Sequence, residues 1–448
     1  MANPDSETEQ APLLTPLLGW SSNPNQNGIE VDEAQEGENE EEDQLDHALR
    51  RLEIFLTILG YKQTSVLSFA LSWSAFMLIG VAVPLLALHF SGCSDCQIEK
   101  YQIRDFEMDV VAFQACLAAV SLICLSHNLR KYGLKRFLFV DRYGGQMACF
   151  HKDYVKQISE SMRLLVLWLL PCFLLKIARE IIRLIHLRHE SWWLSVATLL
   201  ALTISWTYVS TISLSASILF HLVCNLQVIH FDDYGKLLER ESDVLIFMEE
   251  HMRLRYHLLK ISHRFRIYLL LEFLVVTTSQ FVALLQITVY GGIISLTNGG
   301  DFAVSTLLQV VGIILCLHAA TRISHRAQNI VSLASRWHAL ATCTSSDVSQ
   351  MRNSISLGSL EAANRLNSIY LDYSESDLES LDCIDMPIST RLASYMSSQH
   401  KRQAFVMYLQ SNPGGITIFG WTVDRSFVNT IFFIELSLVT FVLGQTIV

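Results

Sequence analysis

The chain has 448 residues, 51% of them hydrophobic and only 17% charged, with a mean hydropathy of +0.33. That combination excludes an ordinary soluble globule and points to a polytopic membrane protein. The formal net charge of -10 belongs to one tail, because residues 1–49 hold thirteen Asp or Glu and no Lys or Arg, so it describes neither an acidic body nor a basic partner, and no basic patch interleaved with aromatics supports nucleic-acid binding.

Residues 1–46 are acidic and rich in Asn, Gln and Ser, the composition of a disordered cytoplasmic tail. No signal peptide is expected, because no apolar h-region precedes the first apolar run near residue 64. Within the tail, Glu9 with Leu13 and Leu14 has the E-x-x-x-L-L form of a vacuolar or endosomal sorting signal. The protein is accordingly placed in the plasma membrane or a vacuolar or endosomal membrane. Residues 47–64 read as an amphipathic juxtamembrane helix.

Seven apolar spans follow, at about 65–90, 107–127, 161–178, 193–223, 266–297, 302–320 and 427–448. Pro84 is expected to kink the first, and Pro171 lies in the third. An N-terminus inside and a C-terminus outside leaves most Lys and Arg on the inner side, including Arg130, Lys131, Lys135, Arg136 and Arg142. Arg179, Arg183 and Arg188 are the exception; with Trp192 and Trp193 close by, they are placed among lipid headgroups. The expected fold is thus all-α, with seven transmembrane helices and long cytoplasmic helix extensions. Transmembrane helices 1–6 with those extensions occupy 65–341. Residues 224–265 keep a helical repeat of apolar positions, read as a helix that leaves the membrane and returns into span five. Residues 342–398 form a Ser-rich acidic linker open to phosphorylation, and 399–448 a short cytoplasmic helix, an Asn412-Pro413-Gly414-Gly415 turn and the last span.

Catalytic motifs are missing: no H-E-x-x-H, G-x-S-x-G, Walker loop or G-x-G-x-x-G occurs, so no enzyme is expected. The fifteen histidines match no metal-ligand frame, and Cys93 and Cys96 form a C-x-x-C without partner ligands. Neither a metal nor a cofactor is expected.

Polar side chains within the spans are more informative. In span five, Glu272, Ser279, Gln286 and Tyr290 share one helical face. They either line a cavity or make interhelical hydrogen bonds, with Glu272 snorkelling to the inner surface. Span four is dense in Ser and Thr, which means close helix packing or, with aromatic walls, a ligand pocket. The candidate pocket comprises Phe76, Phe113, Thr198, Trp206, Tyr208 and Gln286. In the last span, Thr430, Ser437, Thr440 and Gly444 fall on one face, with Gln445 near the end. That seam lines a pore if several copies meet around an axis; otherwise it lets one helix approach another.

The stretches FHLVCNLQVIHFDDYGKLLERE (220–241), LASRWHAL (333–340) and the last span carry a resemblance to the insect gustatory and odorant receptor superfamily. More closely, the chain resembles a plant gustatory-receptor-like family catalogued as a domain of unknown function. The resemblance covers roughly residues 50–448. It implies a homotetramer whose four last spans enclose a cation-conducting pore, opened by a small molecule bound in the outer half of each bundle. The insect receptors close the last span with Thr-Tyr, apolar residues and Gln-Phe; this chain has Thr440-Phe441 and Gln445-Thr446 at a shorter gap. The alternative is a non-conducting receptor or scaffold that signals through its tail and linker.

Overall fold

The computed structural model describes residues 27–90, 98–139, 150–186, 192–239, 243–289, 296–346, 398–434 and 437. The chain builds ten α-helices there: α1 (Asn27–Ile58), α2 (Val66–Ala75), α3 (Val83–Phe90), α4 (Ile98–Phe137), α5 (His151–His186), α6 (Trp192–Glu239), α7 (Val244–Val289), α8 (Leu296–Ser346), α9 (Ser398–Ser411) and α10 (Arg425–Ile434). A π-helical turn, Phe76–Ala82, joins α2 to α3, and a two-stranded hairpin, β1 (Thr417–Ile418) and β2 (Trp421–Thr422), precedes α10.

Five stretches among the described residues are long and apolar enough to cross a membrane: Val66–His89, Phe106–Phe137, Val196–Leu238, Val244–Gln286 and Phe302–Leu340. The expected third span falls within α5, which is not among the five. Its apolar run is bounded by Arg163 on one side and by Lys176, Arg179 and Glu180 on the other. Of the expected last span, only the shorter apolar helix α10 and Ser437 lie within the described residues.

Local chemistry explains the helix ends and breaks. The α1 helix starts at Asn27, well inside the acidic stretch expected to be disordered. It stops at Ile58, short of the expected 64, because Gly60 adopts φ +86°. A Cβ on Gly60 would lie 2.4 Å from Ser72 Oγ, which itself donates to the Gly60 carbonyl at 2.8 Å. Gly60→Ala is therefore expected to cost about 1–3 kcal/mol, from the left-handed backbone alone, with a further loss from the displaced Ser72; an unchanged thermal unfolding midpoint would refute this. Pro84, expected to kink span one, lies just past a π-helical turn. It has no N–H for the Gly80 carbonyl, and the preceding turn opens to π geometry, with the Val83 N–H bonded to Leu78 O. The expected continuous helix from 224 into span five is two helices. α6 ends at Glu239, and Asp243 starts α7 by accepting from the Leu245 N–H at 3.4 Å.

α6 is the centre of the bundle, packed against the π-turn, α3, α4, α5, α7 and α8. Its serines and threonines allow this. Thr207, Thr211 and Ser213 donate to the carbonyls four residues back, at 2.7, 2.6 and 3.2 Å, so a buried helix carries hydroxyls whose hydrogen bonds stay within it. The small side chains let neighbouring backbones approach closely. The main apolar core lies where α4, α6, α7 and α8 converge. Phe265 stands at its middle, 4.9 Å from the Phe220 ring and 5.5 Å from that of Phe137. Leu67, Leu71, Leu78, Leu167 and Leu174 point outward instead, each more than half exposed.

At the end of the bundle that carries α9, the β-hairpin is fixed by two serines of the long helices. Ser324 Oγ of α8 accepts from the Ile416 N–H at 3.2 Å, and Ser262 Oγ of α7 accepts from the Thr417 N–H at 3.0 Å. Its two-residue turn, Phe419-Gly420, has positive φ at both positions, the geometry that matches the strand twist. This hairpin was not expected; the Gly420 step was its one local signal. The hairpin holds the chain against α7 and α8 just before it enters α10.

Candidate functional site: two stacked polar cavities in the bundle

The charged side chains of α4 and α5 do not face solvent. Glu107 of α4 and Lys176, Arg179 and Glu180 of α5 are between 2% and 7% exposed. Arg179 bridges both carboxylates, with Nη2 donating to Glu107 Oε1 and Nη1 to Glu180 Oε1, each at 2.6 Å, while Lys176 Nζ lies 3.1 Å from Glu180 Oε1. Two cations face two anions, so the quartet is neutral as a unit, which is how charges persist in a low-dielectric interior. This corrects the sequence expectation for Arg179, which is buried and ion-paired rather than lying among headgroups. Helix geometry makes it so: Lys176 and Glu180 are four residues apart, on the face that α5 turns toward the bundle.

Glu107 and Lys176 line the first cavity, together with Gln114, Ser205 and Trp206. Trp206 of α6 is buried, and its indole N–H donates to Ser305 Oγ of α8 at 3.2 Å. The second cavity continues along α6 and shares Gln114 and Val209 with the first. Ser210, Ser213, Ser217, Glu272 and Gln309 line it. Ser217 Oγ donates to Glu272 Oε1 at 2.8 Å and lies 3.0 Å from Tyr268 Oη, and Cys316 Sγ is 3.4 Å from Glu272 Oε2. Glu272 therefore makes the interhelical hydrogen bonds and does not snorkel. Each cavity has about 20 Å³ of room for water centres, enough for one or two waters. In this state the bundle interior is closed to anything much larger.

The six residues of the expected ligand pocket do not form one wall. Trp206 alone lines either cavity. Phe76 is buried against Trp73, with ring centres 5.7 Å apart, under the π-turn. Gln286 reaches Asp109 of α4, its Nε2 donating to Oδ2 at 2.5 Å. Phe113, Thr198 and Tyr208 are half-buried on their helices. Ser279 of the span-five face is buried, whereas Tyr290 lies outside the described residues. In the last span, Thr430 and Ser437 are exposed, and their hydroxyls donate to the carbonyls of Ser426 and Phe433 at 2.9 and 2.7 Å. Thr440, Gly444 and Gln445 lie outside the described residues, as do Cys93, Cys96 and the Glu9, Leu13, Leu14 motif. Among the described residues no three His, Cys, Asp or Glu side chains gather as a metal site.

Sequence reasoning missed the charge quartet and Gln309, and saw Ser217 only as one of the many hydroxyls of span four. An available signal was the Lys176–Glu180 pair at i, i+4 following a long apolar run, a spacing that lets opposite charges neutralise each other on entering the membrane.

Long apolar helices with apolar side chains turned outward and neutralised charges sealed within define an integral membrane helix bundle with an internal polar track. The chain belongs to a family described as protein of unknown function (DUF3537), whose profile matches residues 47–434. The solved structure of the insect olfactory receptor OR5 from Machilis hrabei in complex with eugenol is similar to this chain. The TM-score is 0.52 at 14% identity, over 90% of this chain and 98% of the receptor chain. At that identity the likeness is one of fold. No curated protein matches the chain.

Proposed function

We propose that the protein is a seven-span chemoreceptor-like membrane protein, N-terminus cytoplasmic and C-terminus outside, that binds a small molecule in its helix bundle and conducts cations as a homotetramer. The observation that carries this reading is the shared fold with an olfactory receptor solved around a small molecule, together with a polar track inside the present bundle. The cavities hold only water-sized guests, so a ligand must part α4, α5 and α6 where Trp206 and the Glu107–Lys176 side chains meet. Binding that separates helices is a means of gating, because it favours one packing of the bundle over another. Ser262 and Ser324 tie the segment before α10 to α7 and α8, so a shift of those helices is passed to the last span. In the tetramer Thr430, Ser437, Thr440, Gly444 and Gln445 face the shared axis. No enzymatic step is part of this reading.

One observation favours the non-conducting receptor or scaffold. The Thr430 and Ser437 hydroxyls are spent on their own helix, the arrangement that also suits a lipid-facing surface. Purified protein in a planar bilayer, with its mass measured in detergent, separates the two. The channel reading expects a tetramer, current on addition of ligand, and a marked loss of cation current in Thr440→Lys, since a fixed positive charge in a narrow pore repels cations. A monomer that passes no current would end it, and unchanged conductance in Thr440→Lys would remove that residue from the pore.

A further inference from the structure

Glu272 differs from every other buried carboxylate of the bundle named above. Glu107 and Glu180 have Arg179 and Lys176 as countercharges. Glu272 is 2% exposed, and among the described residues it forms no ion pair; its partners are the Ser217 hydroxyl and the Cys316 thiol. The titratable groups beside it, Tyr268 of α7 and Cys316 of α8, bring no positive charge, while α4 contributes the uncharged Gln114 and Leu117 to the same cavity. A carboxylate so placed must hold a proton or a cation.

The cavity favours the cation. Gln309, 8% exposed, lines it one helical turn from Gly312, and among the described residues its carbonyl Oε1 has no donor. Ser210 and Ser213 add hydroxyl oxygens. Gly312 keeps the wall open, for a Cβ there would lie 3.0 Å from Ser217 Oγ and 3.4 Å from Glu272 Oε1. A surplus of oxygen acceptors around one uncompensated carboxylate is the donor set of a hard cation. A single negative charge suits a monovalent ion, and the small volume suits sodium. The geometry points to a sodium site at the centre of the bundle, where Glu272 of α7, Gln309 of α8 and the Ser213–Ser217 face of α6 enclose a polar cavity: Glu272 supplies the charge, the amide and hydroxyl oxygens are neutral ligands, and water completes the shell. The site lies inside one protomer, apart from the last span, and bound sodium would hold α6, α7 and α8 together.

The test is thermal unfolding of the full-length protein in detergent, in sodium, potassium or choline chloride at equal ionic strength. Sodium should raise the midpoint by several degrees with saturation, because an ion that binds only the folded state stabilises it. Potassium should do less, and Glu272→Gln should abolish the response. Should Glu272→Gln fail to fold, Gln309→Leu decides: the loss of one ligand oxygen should raise the half-saturating sodium concentration about tenfold, read against that variant's own midpoint in choline. Equal midpoints in all three salts would overturn the site, as would a sodium response that survives in Glu272→Gln or an unchanged half-saturation in Gln309→Leu. A midpoint that follows pH and ignores sodium would place a proton on Glu272 instead. None of these readouts involves conduction, so this site and the channel reading stand or fall separately.

Discussion

Arg179→Ala should be the most damaging single change in the bundle, at about 3–5 kcal/mol, the loss seen when one partner of a buried ion pair is removed. The guanidinium contacts Glu107 and Glu180 at 2.6 Å each. Without it, the two carboxylates lose the cation they share in a dry site, and the quartet carries one negative charge in excess. Arg179→Lys keeps the charge but not the planar fork that reaches both acids, so it should fall between the two. Adding Glu107→Gln to Arg179→Ala should recover part of the loss, because the surplus charge is gone; this coupling is what a double-mutant cycle reads. Unfolding curves in detergent compare the native chain, the three single variants and the double variant. A midpoint for Arg179→Ala equal to that of the native chain, or losses for Arg179→Ala and Glu107→Gln that simply add, would remove the quartet as a structural unit.

The second large effect lies at the opposite end of the bundle. Phe247 of α7 is fully buried, with its ring 5.7 Å from Trp337 of α8 and 6.2 Å from Phe405 of α9. Tyr234 of α6 donates to its carbonyl at 2.9 Å. Four helices thus meet on one residue. Phe247→Ala should cost about 3–5 kcal/mol, the range for emptying an aromatic site in a packed core. The loss should be local in a telling way. α9 is docked largely through Phe405, Tyr408 and Leu409, so its amides should exchange with deuterium much faster in Phe247→Ala and at the native rate in Arg179→Ala. Equal protection of α9 in the two variants would show that α9 does not depend on this contact. If α9 and the hairpin relay movement to the last span, Phe247→Ala should also weaken any ligand response without touching the cavities.

Some of this was legible because it depends on near neighbours along the chain. Apolar runs of helical length mark spans one, two, four, five and six, and α9 falls where 400–410 reads as helix. Pro84 and Gly60 act through their own backbones, so their effects could be anticipated or recognised locally. The density of Ser and Thr in α6 signals close packing, and α6 is indeed the helix on which the others converge. The expected ligand pocket was grouped by chemical type, and of Phe76, Phe113, Thr198, Trp206, Tyr208 and Gln286 the structure brings Trp206 to a cavity, because nothing local says which way each helix is rotated. Glu107 and Arg179 are 72 residues apart, and no periodicity links them.

Hydrophobicity and its period act over one or two helical turns, and so the amino-acid order alone determined that this chain is a set of long membrane helices with polar faces. Which polar groups meet is set by desolvation, which penalises every unmatched charge and lets helices settle only where partners coincide. That choice belongs to the packed bundle. It put Arg179 between two acids, Glu272 against Ser217 without a countercharge, and the hairpin on Ser262 and Ser324.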